Sequence, residues 1–394
     1  MKVAEPADVI LIQPRYAPGV SPYCVPPWGL LSIGAHLERQ GFDVGLVDYQ
    51  IHDSWDLMRC LSEVEPTFVG ISVMSGYVGQ VVRLAVAVRK MSPASRVVVG
   101  GKHFTIAGAY DIDWADHVVV GPGELAFELI ASGADASRVM VGGEMPLQDI
   151  PLPGEELLRH YAGHGNGEWG LMVSRGCPFS CGFCSGDRRS VVRYGPSRVA
   201  QLVEAVIRRG ADRVFFMDDI FTLSREWLAA VCEVLPDAPY RCFTHASVHD
   251  PGLYSMMREA GFYEVQLGVE SGDQRLLDRM DKRTTPDGVR EAVDAILAGG
   301  LAPTCLFMLG YVGDTEESMR TTIEFARELK GRGAKVWFSA AQPFPNTRFR
   351  EEALLEGCII GRDADFDNKS ITYLPAGVSL EQMTELMEEA RTLH

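Results

Sequence analysis

The sequence predicts an α/β protein with an N-terminal doubly wound, Rossmann-like domain, then a partial, open (βα)6 barrel and a short helical C-terminal tail. Three observations predict this fold. Short apolar runs, many of them β-branched, alternate with helical stretches along most of the 394 residues, as is typical of parallel strands covered by helices on both faces. A Pro- and Gly-rich stretch interrupts this alternation near residue 150. The alternation then resumes at a longer period for six βα units, fewer than the eight of a closed barrel.

Composition and charge limit the class of protein. The chain is 46% hydrophobic and 23% charged, and no apolar run approaches the roughly 20 residues of a membrane span. The N-terminus, MKVAEPAD, lacks the basic start and apolar run of a signal peptide, so we expect a cytoplasmic protein without a membrane partner. The net charge of -16 disfavours binding to nucleic acid. The odd number of cysteines, nine, predicts reduced thiols and one special cluster rather than disulfides.

The doubly wound domain is predicted for residues 1–145, followed by a linker over 146–167. Helices are predicted over 28–41, over roughly 78–91 and after residue 124. The apolar runs that predict its strands are 8–14, 42–50, 68–75, 96–101 and 116–124.

The barrel is predicted for residues 168–347 and a C-terminal extension for 348–394. The first barrel strand runs directly into a loop that contains cysteines. Ser379 and Gln382 have capping-box spacing and predict a helix from residue 380 to 392. The other barrel strands are predicted at 213–219, 240–247, 263–271, 304–310 and 335–344, and helices at 198–209, 285–299 and 315–331.

The stretch SRGCPFSCGFCSG, residues 174–186, places Cys177, Cys181 and Cys184 at C-x3-C-x2-C spacing. A structural zinc site needs four ligands, and a ferredoxin-type [4Fe–4S] cluster takes four thiolates. Three thiolates leave one iron of a cubane without a protein ligand, and an open position on a metal is where a substrate or cofactor binds. The loop also follows a barrel strand, where barrel enzymes place their chemistry. The alternatives are three chance cysteines and a plain iron–sulfur electron carrier, the latter disfavoured by the missing fourth cysteine.

At these residues the chain resembles the radical S-adenosylmethionine (SAM) enzymes. CPFSCGFC is similar to their cysteine signature, LGVESGDQRLLDRMDKRTT (267–285) to their G-x-E-S-G stretch, and FMLGYVGDTEES (307–318) to their G-x-P-G-E-T stretch. The resemblance implies that Cys177, Cys181 and Cys184 hold a [4Fe–4S] cluster whose remaining iron binds SAM. It also implies that the reduced cluster cleaves SAM to a 5′-deoxyadenosyl radical.

The same resemblance implies contacts to SAM outside the cysteines. Phe183 would pack on the cluster and offer its backbone to the adenine. Glu270 and Ser271 would meet the ribose or the amino-acid end, because a carboxylate can accept two ribose hydroxyls. Gly310 would let the backbone approach SAM. For Glu270 the alternative is a strand-end carboxylate that pairs with an arginine, and for Gly310 it is a plain turn.

Three further residues are candidates in the barrel. Asp218 is a candidate for cofactor binding and Asp219 for catalysis, with an ion pair or a role near a helix N-cap as the alternative. His245 ends the third predicted barrel strand and is a candidate catalytic residue. A lone histidine is more often structural, and that alternative stays open.

The first domain resembles the cobalamin-binding domain that precedes the radical SAM barrel in many such enzymes. The matching stretches are 25–48, 69–75, 97–105 and 116–128. Glycines at strand ends would let a flat corrinoid approach the backbone, and serines after the third strand would hydrogen-bond its tail or amides. No D-x-H-x-x-G motif is present, and a vestigial domain that only supports the barrel is the alternative. The implied cobalamin contacts are Ser72, Ser75, Gly100, Gly101, Gly121, Gly123 and Glu124.

Together these resemblances imply a cobalamin-dependent radical SAM C-methyltransferase that acts on a small metabolite in natural-product biosynthesis. The alternatives are radical chemistry without methyl transfer, such as dehydration, ring contraction or epimerisation, and a tRNA-modifying enzyme. Four arginines within 187–198 stand out in an acidic chain. They indicate either a solvated loop or a docking patch for an acidic flavodoxin or ferredoxin that delivers the electron.

Overall fold

The structure is a computed structural model that divides the chain into two compact units, Met1–Gly167 and Glu168–His394. None of the helices in its described part is long and apolar enough to cross a membrane. Residues 187–189, with two arginines of the predicted docking patch, lie outside the described residues. The described residues are 8–15, 25–52, 54–108, 112–135, 137–158, 161, 167–186, 190–356, 358–361 and 370–394.

The first unit is built on a six-stranded sheet in the order β2-β1-β3-β4-β5-β6. All its neighbouring strands are parallel. The order in which strands are added to the sheet reverses between β1 and β3, as in a doubly wound fold. Short 3-10 turns occupy Ser75–Tyr77 and Leu147–Asp149. The strands are β1 (Val9–Gln13), β2 (Val44–Asp48), β3 (Phe68–Ser72), β4 (Arg96–Gly100), β5 (His117–Val120) and β6 (Val139–Val141). The helices are α1 (Trp28–Arg39), α2 (Ser54–Val64), α3 (Val78–Met91), α4 (Lys102–Ala107), α5 (Glu124–Ala131) and α6 (Glu155–Leu158).

Apolar side chains cover both faces of this sheet. In β1, Ile10 and Ile12 belong to one buried cluster, while Val9 and Leu11 belong to another. This alternation follows from the two-residue repeat of a strand and confirms the prediction of a sheet with helices on both faces. Part of the stretch predicted as a linker is packed as well, since residues 157–158 form a buried cluster with a leucine of α1.

The second unit contains a six-stranded sheet in the order β14-β13-β12-β11-β10-β7. This order follows the chain and every pair is parallel, which confirms the open (βα)6 barrel. The remaining strands, β8 (Ser174–Arg175) and β9 (Val192–Arg193), form a small antiparallel pair. The barrel strands are β7 (Glu168–Leu171), β10 (Arg213–Phe216), β11 (Tyr240–His245), β12 (Phe262–Glu270), β13 (Ala302–Leu309) and β14 (Lys335–Ala340). The helices are α7 (Pro196–Ile207), α8 (Arg225–Cys232), α9 (Pro251–Glu259), α10 (Gln274–Arg279), α11 (Pro286–Ala298), α12 (Glu316–Gly331), α13 (Arg348–Glu356) and α14 (Leu380–Arg391).

Local sequence signals fix where these helices begin. The capping box predicted at α14 is present, with Ser379 and Gln382 bonding each other's backbone. Helix α7 begins at Pro196 rather than at the predicted residue 198, because proline has the φ of a first helical residue and no N–H to leave unpaired. The helices therefore support the barrel strands much where the sequence places them.

Candidate active site

The three cysteines of the signature lie in one loop that follows β7 and β8, at the carboxyl end of the barrel sheet. The Cys184 amide donates to the Cys181 carbonyl at 3.0 Å, and the Gly186 amide donates to Cys184 Sγ at 3.1 Å. Cys181 is buried, and Cys177 and Cys184 are half-buried. The loop thus holds all three thiols at the end of the barrel where its chemistry was predicted.

This donor set fits an iron–sulfur cluster better than a single ion. Burial raises the pKa of Cys181 to about 11 and raises that of Cys177, so metal binding at this loop must release protons. Among the described side chains, no group of three or more His, Cys, Asp and Glu is arranged to hold one metal ion. The thiols are near enough to perturb one another's pKa. Neighbouring but separate thiols suit a cluster in which each thiolate takes its own iron.

A segment directly after α10 holds this loop from one side. The Gly182 amide donates to the Met280 carbonyl at 2.7 Å. The Ser180 hydroxyl donates to Asp281 and accepts from Arg283 at 3.1 Å. Asp281 and Arg283 have φ of +53° and +55°, a conformation that non-glycine residues keep only where their surroundings enforce it. The contacts to the loop are part of that enforcement.

Residues far along the chain hold the loop from the other side. The Phe349 amide donates to the Gly182 carbonyl at 3.0 Å. A Cβ on Gly182 would lie 2.7 Å from both Tyr311 Oη and Arg348 Nη2, so a side chain there would displace one of these groups. Phe183 packs against the buried cluster that contains Tyr311 and Phe349. The sequence analysis missed Tyr311 and Arg348.

A buried ion pair lies beside the thiols. The sequence analysis did not predict the lysine of this pair. Lys282 Nζ donates to Glu270 Oε1 at 2.8 Å and lies 5.8 Å from the centroid of the Phe183 ring. A Cβ on Gly268 would lie 2.8 Å from Nζ, so this glycine makes room for the ammonium. Burial by itself lowers the pKa of Lys282, but Glu270 and Cys181 outweigh it and leave the pKa above its usual value. Lys282 is therefore a charged group next to the cysteine loop.

Of the predicted SAM contacts in the G-x-E-S-G and G-x-P-G-E-T stretches, Glu270 is the one that the structure brings to the cysteines. Its φ is +70°, at an irregularity in the pairing of β12 with β13. Ser271 is buried, and its Oγ lies 3.0 Å from Thr322 Oγ1. Gly310 has a φ of +86°, and a Cβ there would meet Met383 Cε at 2.7 Å. Packing alone thus accounts for Ser271 and Gly310, and their contact with SAM stays a prediction.

The two adjacent aspartates lie in different environments. Asp218 is fully buried, and its Oδ1 accepts hydrogen bonds from the Val173 amide at 2.9 Å and from the Ser174 hydroxyl at 2.6 Å. Asp218 therefore positions the strand that leads into the cysteine loop. Asp219 lies next to the loop, with Oδ2 3.7 Å from where a Cβ on Gly186 would be. Asp219 keeps its predicted catalytic role as a proposal.

His245 supports the loop through its ring. The ring stacks on Phe179, with 4.0 Å between centroids and 12° between planes. Its Nδ1 lies 2.9 Å from Ser247 Oγ and its Nε2 lies 3.1 Å from the Lys282 carbonyl. Burial lowers the pKa of His245 to about 4, so the ring is neutral at pH 7. This is the geometry of a positioning residue, and the catalytic role stays an untested prediction.

Asp218 gives the second unit a pH dependence that can be measured. Burial raises the pKa of Asp218 to about 7, so the native state holds a proton that the unfolded chain releases near its usual pKa of about 4. Because the unfolded state binds fewer protons, we expect stability to fall as pH rises from about 4 to about 7, by up to about 1.4 kcal/mol per pH unit. Urea unfolding of the metal-free protein across this range should show a shallower fall for Asp218→Asn. Equal slopes for the two proteins would contradict the raised pKa.

At the carboxyl edge of the first unit's sheet, the structure gathers small residues. Ser72 ends β3, Gly100 ends β4 and Gly121 follows β5, and all three are partly exposed. Since β3, β4 and β5 are neighbours, these residues share one edge. Such an edge fits a flat ligand that rests on the backbone.

Two of the predicted cofactor glycines have a packing reason of their own. Gly101 has a φ of +108°, and a Cβ there would lie 2.9 Å from the Val73 carbonyl oxygen. A Cβ on Gly123 would lie 2.5 Å from Ile33 Cδ1. Both glycines are thus needed by the domain itself, whether or not a corrinoid approaches them.

The remaining predicted cobalamin contacts are buried. Ser75 Oγ lies 3.1 Å from His103 Nδ1, and both side chains are shielded from solvent. Glu124, the first residue of α5, is also buried. These residues shape the edge from within, and direct contact with a corrinoid stays a prediction for them.

A half barrel with a three-thiol loop, preceded by a doubly wound unit, defines an enzyme class that pairs a cluster domain with a second cofactor domain. Residues 171–326 match the model of the radical SAM superfamily, and residues 17–131 match that of the B12 binding domain. The chain belongs to the radical SAM enzymes that carry a B12-binding domain. The family expected from the sequence is thereby confirmed.

Relatives include proteins named for two different reactions. The chain is 26% identical over 369 residues to the uncharacterized methyltransferase PH0819 of Pyrococcus horikoshii. The aligned region covers 85% of this chain and 80% of that protein. It is 24% identical over 363 residues to the anaerobic magnesium-protoporphyrin IX monomethyl ester cyclase of Rubrivivax gelatinosus, with 81% of this chain and 65% of that protein covered. The radical SAM methyltransferase TsrM of Kitasatospora setae, solved with cobalamin and a [4Fe–4S] cluster, shares the fold with a TM-score of 0.75 at 17% identity, over 98% of this chain and 88% of that chain.

Proposed function

We propose that the protein is a cobalamin-dependent radical SAM C-methyltransferase that acts on a small metabolite in natural-product biosynthesis, in the cytoplasm. The observation that carries the proposal is the three-thiol loop at the carboxyl end of the half barrel, in one chain with a B12-binding domain. The names of PH0819 and TsrM support methyl transfer as the reaction. The net charge of -16 argues against the tRNA-modifying alternative, because a polyanion is repelled.

Different residues of the barrel would hold the cluster and contact SAM. When bound, the [4Fe–4S] cluster and SAM would supply a carbon-centred radical, and cobalamin would supply the methyl group. Cys177, Cys181 and Cys184 would hold three irons and leave the fourth for SAM. The Glu270 carboxylate, which Lys282 holds at 2.8 Å, has a second oxygen available to a hydroxyl or ammonium of SAM.

The first unit would hold cobalamin on the carboxyl edge of its sheet. Ser72, Gly100 and Gly121 are partly exposed there, and small residues let a corrinoid approach the backbone. The absence of a D-x-H-x-x-G motif from the sequence means that no histidine of that motif would ligate cobalt. Packing and backbone contacts would therefore carry the binding.

The electron would come from an acidic flavodoxin or ferredoxin. Arg193 and Arg198, the arginines of the predicted docking patch that the structure describes, lie over the rings of Trp227 and Tyr194 at 5.6 and 5.8 Å. The ring face attracts the guanidinium and helps to fix its position. Complementary charge would raise the rate of encounter.

Radical chemistry without methyl transfer is the second candidate, because one relative is named as a cyclase. The protein, reconstituted anaerobically with iron, sulfide and cobalamin, would be incubated with SAM and a low-potential reductant. We expect S-adenosylhomocysteine, since cobalamin kept reduced by the reductant would take the methyl group of one SAM, and 5′-deoxyadenosine, since the reduced cluster would cleave another. Only 5′-deoxyadenosine would favour the second candidate, and neither product would contradict both. Cys181→Ala, treated in the same way, gives the background.

A further inference from the structure

We propose that Lys282 is a positioning residue that sets the reduction potential of the cluster, as a fixed positive charge beside the thiolates. The inference rests on the proposed cluster at Cys177, Cys181 and Cys184, but not on which reaction follows. Net charge near an iron–sulfur cluster is one of the factors that fix its reduction potential. Lys282 brings a buried positive charge there, whereas Arg283, which also acts on Cys181, is exposed to solvent that screens it.

Hydrogen bonds of Lys282 and of its two neighbours fix the backbone and thereby the direction of the Lys282 side chain. Its neighbours Asp281 and Arg283 both reach Ser180 on the cysteine loop. The Lys282 amide donates to the Leu277 carbonyl at 3.0 Å, and its carbonyl lies 3.1 Å from a ring nitrogen of His245. With both neighbours facing the loop, the lysine side chain is directed into the interior, where 8% of it is exposed.

The charges around the ammonium do not cancel once thiolates are present. Glu270 Oε1 lies 2.8 Å from Nζ, which leaves the pair neutral. Cys181 and Cys184 act on Lys282 as further negative charges, and Asp219 acts on Cys177. Lys282 is thus a cation among thiolates and carboxylates, in surroundings where little water screens it.

Reduction adds one electron to the cluster from an external low-potential reductant, so it makes the site more negative. A fixed cation favours the reduced form, and its removal should disfavour it. Removal of the Glu270 charge should have the opposite effect, because Lys282 would then act on the cluster without a counter-ion. The two changes therefore predict shifts of opposite sign.

The test is a redox titration of the cluster-loaded protein followed by EPR, without SAM or substrate. We expect Lys282→Met to lower the equilibrium constant for reduction at least tenfold, a shift of about 59 mV for one electron. Lys282→Arg should stay near wild type, and Glu270→Gln should shift to a more positive potential. Iron content, measured on each sample, shows whether the cluster is complete.

A wild-type potential in both Lys282→Met and Glu270→Gln would overturn the inference. If Lys282→Met does not retain its full iron, Glu270→Gln decides, and an unchanged or more negative potential in it overturns the inference. Because neither SAM nor substrate is present, the result is independent of the products that test the proposed function. A protein that holds no cluster at all would contradict the proposed function instead.

Discussion

Replacing Cys177, Cys181 or Cys184 singly with alanine is expected to abolish cluster assembly and SAM cleavage. Each thiol would ligate a separate iron, so no other group of the loop can take over. Removing a group that hydrogen-bonds to a metal ligand typically costs about 10- to 100-fold in metal affinity or activity, and loss of a ligand itself should exceed that. Iron content, the visible absorption of the cluster and 5′-deoxyadenosine formation measure the effect.

Cys232→Ala provides the matched control. Cys232 is half-buried like Cys177 and Cys184, but it ends α8, away from the signature. This variant should keep the iron content and SAM cleavage of the wild type. A loop variant that retained full iron and cleaved SAM would show that the cluster lies elsewhere.

The sequence was sufficient for those parts of the molecule that depend on neighbouring residues. Strands with buried β-branched runs, such as β4, and the capping box at Ser379 lie where they were expected. The cysteine loop is also a local signal, because its three cysteines fall within eight residues. Strand β6 was missed because its apolar run, VMV, is only three residues long, shorter than the runs of four to eight residues that indicate a strand. It lies at the sheet edge, with Val139 45% exposed and Val141 79% exposed.

The contacts that hold the loop could not be found in the same way. Gly182 meets Arg348 and Tyr311, residues more than a hundred positions away in the sequence. Lys282 lies within a stretch similar to the family, but its role depends on the left-handed backbone on both sides of it. The burial of Asp218 could not be predicted for a related reason, since a strand-end aspartate can equally face solvent or bond backbone amides, and its contact with a cofactor stays a prediction.

Arg241 forms a buried ionic network at the opposite, amino-terminal end of the barrel strands. It binds both carboxylate oxygens of Glu168, at 2.8 and 2.6 Å, and reaches Glu264 Oε1 at 3.3 Å. Its guanidinium carbon lies 4.0 Å from the centroid of the Phe215 ring. Arg241 thereby links β7 and β12 across β10, with its side chain and those of both glutamates at most 10% exposed.

Arg241→Met is expected to destabilise the second unit by about 3–5 kcal/mol. The loss comes mainly from Glu168, which would remain buried without the guanidinium that binds both of its oxygens. Glu264 would keep its ion pair with Lys335, whose Nζ lies 2.9 Å from Oε2. Arg320, which pairs with Glu316 at the surface and is 53% exposed, gives the control. Arg320→Met should cost less than about 1 kcal/mol, because water screens its pairs.

Urea unfolding of the metal-free proteins measures both variants, and a further comparison separates the two explanations. If the uncompensated charge causes the loss, adding Glu168→Gln to Arg241→Met should recover part of it, since a neutral amide is less costly to bury. If the double variant is no more stable than Arg241→Met, the loss arises instead from packing of the arginine stem and its contact with Phe215. A cost for Arg241→Met no larger than that of Arg320→Met would mean that the network does not stabilise the barrel through charge at all.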